Sequence, residues 1–166
     1  MELLLFSDNH RDRESVKELL QKHPNADRII SLGDSEMKEY ELTELNIFGV
    51  KGNYPFEPNF PKELTFVFED AKVYLTHGHH FSVKMGLSRL LHYGLYNEVD
   101  IICFGHTHKP LLKEIQGVLM LNPGSLSRRK FNSKASYAVL TIEPKQIKAV
   151  IKTLDDKIVF EYNRTR

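Results

Sequence analysis

Short apolar runs that are directly followed by polar, metal-binding side chains are the feature that most constrains the fold of this chain. Residues 3–6, 28–32 and 99–104 are largely apolar runs of this kind. Such runs are typical of β-strands that are covered on both faces. Between the first two, residues 11–22 repeat apolar side chains at helical spacing, and Pro24 predicts the end of that helix. This order predicts an α/β chain whose polar residues gather at the carboxyl ends of its strands.

The rest of the chain is expected to add mostly strands. Residues 47–50 predict another strand, and Ser35 is placed to cap a helix just before it. A third helix is expected over residues 83–91, where apolar side chains share one side. Further strands are predicted at residues 64–68, 72–75, 111–115, 118–121, 137–142, 149–151 and 158–162. Strands that first alternate with helices and then dominate indicate sheet packed on sheet, with the helices outside.

Composition and charge limit the classes of function. Apolar residues make up 41% of the 166 residues, enough to bury a core, and we expect residues 1–166 to form a single domain. Lys and Arg number 23 and Asp and Glu 22, so there is no clear nucleic-acid signature and no general attraction to a membrane. No apolar stretch approaches membrane-spanning length. Cys103 is the single cysteine, which excludes an internal disulfide and makes a reducing cytoplasm the expected location.

The polar residues that follow the apolar runs form a set of candidate metal ligands. Their donors are carboxylate oxygens, an amide oxygen and imidazole nitrogens, with no thiolate among them. Such donors suit a divalent ion such as Mn, Fe or Zn, and a set of this size suits two ions better than one. Paired cations indicate hydrolysis at phosphorus, because they neutralise the anionic oxygens that repel a nucleophile. The candidates are Asp8, His10, Asp34, Asn53, His77, His106 and His108.

The order of the motifs carries a resemblance to a known family. The motifs are Asp8-x-His10, Gly33-Asp34, Gly52-Asn53, Thr76-His77-Gly78-His79, Gly105-His106-Thr107-His108 and Asn122-Pro123-Gly124-Ser125. In this order the chain resembles the calcineurin-like metallophosphoesterase superfamily, in particular its small single-domain phosphodiesterases of bacteria and archaea. The resemblance implies an α/β fold, a four-layer α-β-β-α sandwich of two mixed sheets flanked by helices. It also implies a dinuclear centre in which one ion is held by Asp8, His10 and His108, the other by Asn53, His77 and His106, and Asp34 bridges the two.

The resemblance further implies an activity and a cofactor. The activity is metal-dependent hydrolysis of a small-molecule phosphodiester by a metal-bound hydroxide, with Asp34 and Asn53 as catalytic residues. Asn53 can also hold the substrate phosphate through its amide. Two divalent ions are expected, with Mn first and Fe, Ni or Zn as alternatives, because all of these accept such donors.

Other residues near these motifs have a functional and an ordinary interpretation. His79 is a candidate catalytic residue that faces the site, while exposed loop histidines at positions 79 and 80 are the alternative. Arg128 is a candidate for binding a substrate anion, and the alternative is that residues 128–130 are a solvated basic run. Asn122 to Ser125 resembles a family loop near the metals and would equally make an ordinary turn. His23 and His92 are expected to be ordinary surface or core residues.

One departure from the family pattern affects the mechanism. Many members place a histidine after the Gly-Asn pair to protonate the leaving group, whereas Tyr54-Pro55 follows Asn53 here. A tyrosine hydroxyl is a weak acid at neutral pH, so we expect activity to depend on the leaving group. Phosphomonoester hydrolysis is a second interpretation. A third is a non-catalytic interaction scaffold, because a retromer subunit has this fold. The strand-rich C-terminal part leaves homo-oligomer formation open.

Overall fold

Alternate residues of the first strand face two different hydrophobic layers, and this alternation explains the layered architecture. In the computed structural model, which describes residues 1–56, 59–128 and 134–166, Leu3 and Leu5 point into one buried cluster. Leu4 and Phe6 point into a second cluster on the opposite face. Successive side chains of a strand point to opposite faces, so this strand belongs to a sheet that is covered on both sides.

The strands and helices follow in the order expected from the sequence. The strands are β1 (Glu2–Phe6), β2 (Arg28–Ser31), β3 (Ile47–Gly49), β4 (Glu63–Phe68), β5 (Ala71–Thr76), β6 (Ile101–Cys103), β7 (Leu111–Ile115), β8 (Val118–Asn122), β9 (Ser136–Glu143), β10 (Gln146–Thr153) and β11 (Ile158–Thr165). The helices are α1 (Arg13–Lys22), α2 (Glu39–Glu44) and α3 (Ser88–Tyr96), and a 3-10 turn spans His79–Phe81.

These strands form two mixed sheets. The first sheet has the order β11-β10-β9-β1-β2-β3, in which β1, β2 and β3 are parallel and β9 runs antiparallel to β1. The second has the order β4-β5-β6-β8-β7, in which β5, β6 and β8 are parallel and both edge strands are antiparallel. The predicted α/β fold with two mixed sheets is confirmed.

The two sheets share a core, and the helices cover their outer faces. Side chains of β1, β2, β9 and β10 in the first sheet and of β5, β6 and β8 in the second form one buried cluster between the sheets. Val16 and Leu19 of α1 pack on the outer face of the first sheet, and Leu90 of α3 packs on that of the second. The layers are therefore helix, sheet, sheet and helix. No helix among the described residues is both long and apolar enough to cross a membrane.

Two predicted helix boundaries are wrong. Ser35 caps no helix, because α2 begins four residues later at Glu39, and the buried Ser35 hydroxyl has no hydrogen-bond partner among the described residues. The third predicted helix, α3, begins at Ser88 rather than near residue 83. Gly94 lies inside that helix, where a Cβ would come within 2.6 Å of Cδ1 of Ile102 in β6. This glycine therefore permits close packing of the helix on the sheet.

Candidate metal centre

Each predicted ligand follows the carboxyl end of a parallel strand, and Asn53 follows β3. Asp8 and His10 follow β1, Asp34 follows β2, His77 follows β5, and the pair His106 and His108 follows β6. Asp8, His10, Asp34, His106 and His108 have backbone φ angles between 44° and 67°, in the left-handed region that residues other than glycine seldom occupy. Such conformations persist only where the surrounding structure holds them, and they are frequent at functional sites. Tight left-handed turns thus aim the side chains back toward one another at the strand ends.

The first group of donors consists of Asp8, His10 and His108, whose ligand atoms all lie within 4.8 Å of one another. Nε2 of His108 is 3.0 Å from Oδ1 of Asp8 and 3.4 Å from Nε2 of His10. The other ring nitrogen of His10 lies 2.7 Å from the Glu36 carboxylate. A carboxylate accepts a hydrogen bond, so Nδ1 of His10 carries the proton and Nε2 presents its lone pair to the group.

The second group consists of Asp34, His77 and His106, again with ligand atoms within 4.8 Å. Nε2 of His77 is 3.4 Å from Oδ2 of Asp34 and 3.2 Å from Nδ1 of His106. Nδ1 of His77 donates to the Leu32 carbonyl oxygen over 2.7 Å. His77 is fully buried, and this hydrogen bond orients its ring so that Nε2 faces the group.

The two groups adjoin each other across buried Asp8. Nε2 of His77 in the second group lies 3.9 Å from Oδ1 of Asp8 in the first. The other carboxylate oxygen of Asp8 accepts from the Ser7 hydroxyl at 2.6 Å and from the His106 N–H at 3.0 Å. These contacts hold a carboxylate at the junction of the two sheets, where it is within reach of both groups.

The charges of these groups depend on one another. Burial alone would raise the pKa of Asp34, but the hydrogen bond to His77, the charge of His77 and the Tyr54 N–H hold that pKa well below its ordinary value. Burial alone would lower the pKa of His77, but its hydrogen bond to Asp34 and the charges of Asp8 and Asp34 raise it. Burial and the neighbouring His77 lower the pKa of His106 to about 4. The carboxylates are therefore ionised and His106 is neutral at pH 7, as metal ligands must be.

Most of the chain matches one known protein family. Residues 1–145 match the Calcineurin-like phosphoesterase superfamily domain. The chain belongs to this superfamily. YsnB, a probable metallophosphoesterase of Bacillus subtilis, is 33% identical over 144 residues, which are 86% of this chain and 85% of that protein. A phosphodiesterase of Methanocaldococcus jannaschii is 29% identical over 144 residues, which are 75% of this chain and 83% of that protein.

Solved structures share the calcineurin-like phosphoesterase fold. A predicted phosphoesterase from Streptococcus pneumoniae has a TM-score of 0.85 and 27% sequence identity, covering 99% of this chain and 97% of that one. Vps29 of Entamoeba histolytica, in a structure complexed with zinc, has a TM-score of 0.77 and 23% identity, covering 99% of both chains. Because the sequence identity is only 23%, this similarity shows a shared fold and says nothing about function.

Asn53 lies beside the second group of the superfamily site, but its side chain is exposed. The neighbouring Tyr54 N–H donates to Oδ1 of Asp34 over 3.0 Å. On the other side, a Cβ on Gly52 would lie 2.1 Å from the same carboxylate oxygen. The segment is thus held against Asp34, while the Asn53 side chain makes no hydrogen bond within the described residues. Its assignment as a ligand stays a prediction.

His79 lies next to the second group, in the 3-10 turn that follows β5. Its ring centre is 5.4 Å from that of His77 and 6.0 Å from that of His106. Its Nδ1 is buried and has no hydrogen-bond partner among the described residues. Burial and the neighbouring His80 lower the pKa of His79 to about 4. At neutral pH the ring is therefore a neutral donor or acceptor rather than an acid.

Arg128 lies at the surface beside α1. Its guanidinium makes two hydrogen bonds to the Glu18 carboxylate, at 2.6 and 3.1 Å, and the backbone N–H of Arg128 donates to Asp12. A role in binding the substrate stays a prediction, and it would require the pair with Glu18 to open. The neighbours Arg129 and Lys130 lie outside the described residues.

Two residues hold the candidate ligands in place, and the sequence did not predict this role for them: Glu36 and Asn122. Glu36 orients His10, but nothing in the sequence distinguishes it from an exposed acidic residue. Asn122 is fully buried, and its amide donates to the Gly105 carbonyl oxygen at 2.8 Å and to the Thr107 hydroxyl at 3.1 Å. Asn122 therefore holds the loop that carries His106 and His108, and its place at the end of a predicted strand was the available signal.

Proposed function

We propose that this chain is a phosphodiesterase that uses two divalent cations, one at each donor group. In this proposal Asp8, His10 and His108 hold one ion, Asn53, His77 and His106 hold the other, and Asp34 bridges them. The observation that carries the proposal is the pair of adjoining three-residue groups with ligand atoms within 4.8 Å. The relative named as a phosphodiesterase supports the reaction class. Mn²⁺ is the first ion to test, followed by Fe²⁺, Ni²⁺ and Zn²⁺.

The donor chemistry fits a cation in each group. His10 and His77 each use Nδ1 outside their group, on Glu36 and on the Leu32 carbonyl oxygen, so the Nε2 atoms point inward. Nε2 of His10 lies 3.4 Å from Nε2 of His108. Nε2 of His77 lies 3.2 Å from Nδ1 of His106 and 3.4 Å from Oδ2 of Asp34. Lone pairs that converge in a buried place repel one another unless a proton or a cation lies between them. Metal ions would replace the proton that the carboxylates otherwise hold on His77.

The bound cations would neutralise the phosphate oxygens and lower the pKa of a bound water from about 15.7 toward about 7. Asp34 has two carboxylate oxygens and so can face both ions. The exposed amide of Asn53 borders the site and can donate to a phosphate oxygen. The His79 ring borders the second donor group, and its buried Nδ1 would have to become accessible before it could contact the ester.

Among the described residues, neither Tyr54 nor His79 is suited to protonate the leaving group at neutral pH. The Tyr54 hydroxyl accepts from the Arg11 guanidinium at 2.6 Å, which holds the phenol ring on Arg11. His79, with a pKa of about 4, is unprotonated at neutral pH. We therefore expect rates on a series of diesters to fall as the pKa of the leaving alcohol rises. Equal rates across the series, with the chemical step shown to limit turnover, would contradict this expectation.

The principal experiment combines metal content with turnover. Protein stripped by a chelator should have no activity on bis(p-nitrophenyl) phosphate, and reconstitution should restore activity as two equivalents of metal bind. Asp34→Asn should lower kcat by about a hundredfold or more with an unchanged far-UV circular dichroism spectrum. Asp70→Asn, at an exposed aspartate, is the matched control and should retain full activity. Full activity of the stripped protein would refute the proposal.

Two alternatives are tested by the same preparation. Comparing p-nitrophenyl phosphate with its diester separates a monoesterase from a diesterase, since a terminal phosphate carries one more negative charge. An interaction scaffold is the other candidate, supported by the shared fold of Vps29. Because that Vps29 structure contains zinc, metal uptake alone does not distinguish the two, and turnover does.

The remaining proposals concern the whole chain. We propose that residues 1–166 form one domain, supported by β10 and β11, which lie beyond the matched residues 1–145 and continue the first sheet. A small-molecule diester is the proposed substrate and the cytoplasm the proposed location. Sedimentation analysis tests for a homo-oligomer.

A further inference from the structure

A cleft beside the metal centre has the composition of a small-molecule site. It has a volume of about 970 Å³ and lies between the start of β4, the 3-10 turn and α3. This volume falls within the usual range for small ligands. Its lining includes the cations Lys62 and Arg89 together with His80, Phe81, Tyr93 and Tyr96.

Strand pairing places the cleft next to the second donor group. In the β4–β5 pair, Glu63 lies opposite Thr76, and Thr76 directly precedes His77. Lys62, one residue before Glu63, is therefore next to the strand end that delivers His77. On the far side, the ring of His80 contacts that of His79 at a tilt of 40°, with 3.9 Å between centres. The His79 ring lies 5.4 Å from that of His77. An ester whose phosphorus lies at the donor groups can extend one arm past His79 into this cleft.

The cations of the cleft are available to a ligand. Within the described residues, Lys62 and Arg89 form no ion pair, and Arg89 makes one long contact of 3.4 Å with the Ser82 hydroxyl. Glu63, the acidic residue in the lining, accepts a hydrogen bond from the Tyr74 hydroxyl. Glu63 keeps its negative charge, so Lys62 and Arg89 outnumber the one carboxylate of the lining and the cleft is positive by one charge.

The aromatic residues supply a surface for stacking. Tyr93 packs against Phe81 with ring centres 5.3 Å apart, which fixes one wall. Tyr96, one turn of helix further along, leaves 83% of its surface exposed. Exposed rings beside cations are how proteins bind nucleobases without reading their sequence, because every base has a flat face.

We propose that this cleft binds one arm of the diester, and that this arm is a nucleotide: an aromatic base with a second phosphate. The base stacks on Tyr96 and its neighbouring rings, and the phosphate contacts Lys62 and Arg89. This inference rests on the proposed phosphodiesterase function and names its substrate class. The metal centre would bind the phosphodiester to be hydrolysed, and the cleft would determine which substituent of that diester binds.

The kinetic test compares the Mn²⁺-loaded wild type on the dinucleotide TpT with and without a 5′-phosphate. The phosphorylated form should have a kcat/KM about fivefold higher, a modest preference because both cations are exposed. The preference should disappear in a Lys62→Gln, Arg89→Gln double variant. Tyr96→Leu should raise KM for both dinucleotides by about fivefold while kcat stays within twofold.

The matched control is Lys145→Gln. Lys145 is exposed at the β9–β10 turn, and this turn lies beside the amino end of β1, at the opposite end of the sheet from the metal centre. This variant should behave as the wild type. A wild type without the preference, or a preference that the double variant retains, overturns the inference.

A binding measurement separates this inference from the proposed function. Calorimetry should show that thymidine 3′,5′-bisphosphate binds the metal-loaded wild type about fivefold more tightly than thymidine 3′-phosphate, and that the double variant binds both equally. If that preference is found while no diester is hydrolysed, the proposed function fails and the cleft assignment stands. If diesters are hydrolysed and the preference is absent, the cleft assignment fails alone.

Discussion

Replacing Asn122 with alanine should loosen both donor groups at once, because this buried side chain holds the loop that carries His106 and His108. Its amide nitrogen donates to the Gly105 carbonyl oxygen and to the Thr107 hydroxyl, and its amide oxygen accepts from the Gly124 N–H at 2.9 Å. Asn122 itself ligates nothing in the proposed centre. The substitution therefore tests how far a supporting residue controls the ligands.

The cost in stability follows from the partners that each group keeps. The Gly124 N–H is buried and would lose its acceptor, at a cost of about 1–3 kcal/mol. The Gly105 carbonyl oxygen would keep the Thr107 N–H at 2.8 Å, so losing the second bond costs about 0.5–1.5 kcal/mol. The Thr107 hydroxyl keeps contacts with Lys109 and adds little. We expect a total of about 2–4 kcal/mol.

Urea unfolding and calorimetry measure the two consequences. With a denaturant slope of about 2 kcal/mol per molar, Asn122→Ala should lower the urea midpoint by about 1–2 M. The affinity for Mn²⁺ should fall about 10–100-fold, as is usual when the partner of a ligand segment is lost. Asn163→Ala is the control, because Asn163 is exposed and, among the described residues, its side chain bonds only to half-buried Gln146. It should change stability by less than about 0.5 kcal/mol. If Asn122→Ala matched this control in both measurements, the predicted cost of leaving the Gly124 N–H without its acceptor would be refuted.

Three further predictions follow from the same geometry. Gly52→Ala should reduce Mn²⁺ binding at least tenfold, because the added Cβ would lie 2.1 Å from Oδ1 of Asp34; calorimetry showing wild-type affinity would contradict the close approach. Mn²⁺ affinity should fall as the pH is lowered from 8 to 6, because the raised pKa of His77 lets a proton compete with the ion; an affinity that does not vary over this range would count against it. The Cys103 thiol is fully buried and burial raises its pKa, so a thiol reagent should label it only in urea; rapid labelling of the folded protein would disprove its burial.

The strands that frame the site could be predicted because they are buried on both faces. Residues 3–6 are a continuous apolar run, residues 99–104 are apolar except for Asp100, and the structure places β1 and β6 there. Helix boundaries were harder, because they depend on tertiary contacts. Met37 and Val83, which the sequence pattern would include in helices, lie outside them but still pack in the same buried clusters as the helices. The spacing of apolar residues indicates which side chains are buried. Here the buried residues continue beyond the ends of the helices.

The identities of the donors could be predicted, whereas their orientation could not. The sequence shows that Asp8, His10 and Asp34 follow strands, but their left-handed backbone angles depend on contacts with distant segments. One such contact is the hydrogen bond from the Asp8 N–H to the Gly33 carbonyl oxygen, which joins the loops after β1 and β2. Orientation of the His77 ring likewise depends on the Leu32 carbonyl oxygen, 45 residues away in the chain. No local pattern encodes these pairings.

Each donor group draws its ligands from both sheets, which links the proposed chemistry to the fold. In the first group Asp8 and His10 follow β1 of one sheet, while His108 follows β6 of the other. In the second group Asp34 belongs to the first sheet and His77 and His106 to the second. A cation in either group would therefore join the sheets at their carboxyl ends, where the apolar core between them stops. The site that binds an anionic substrate would also close the end of the sandwich, so metal loss should loosen this end before the core.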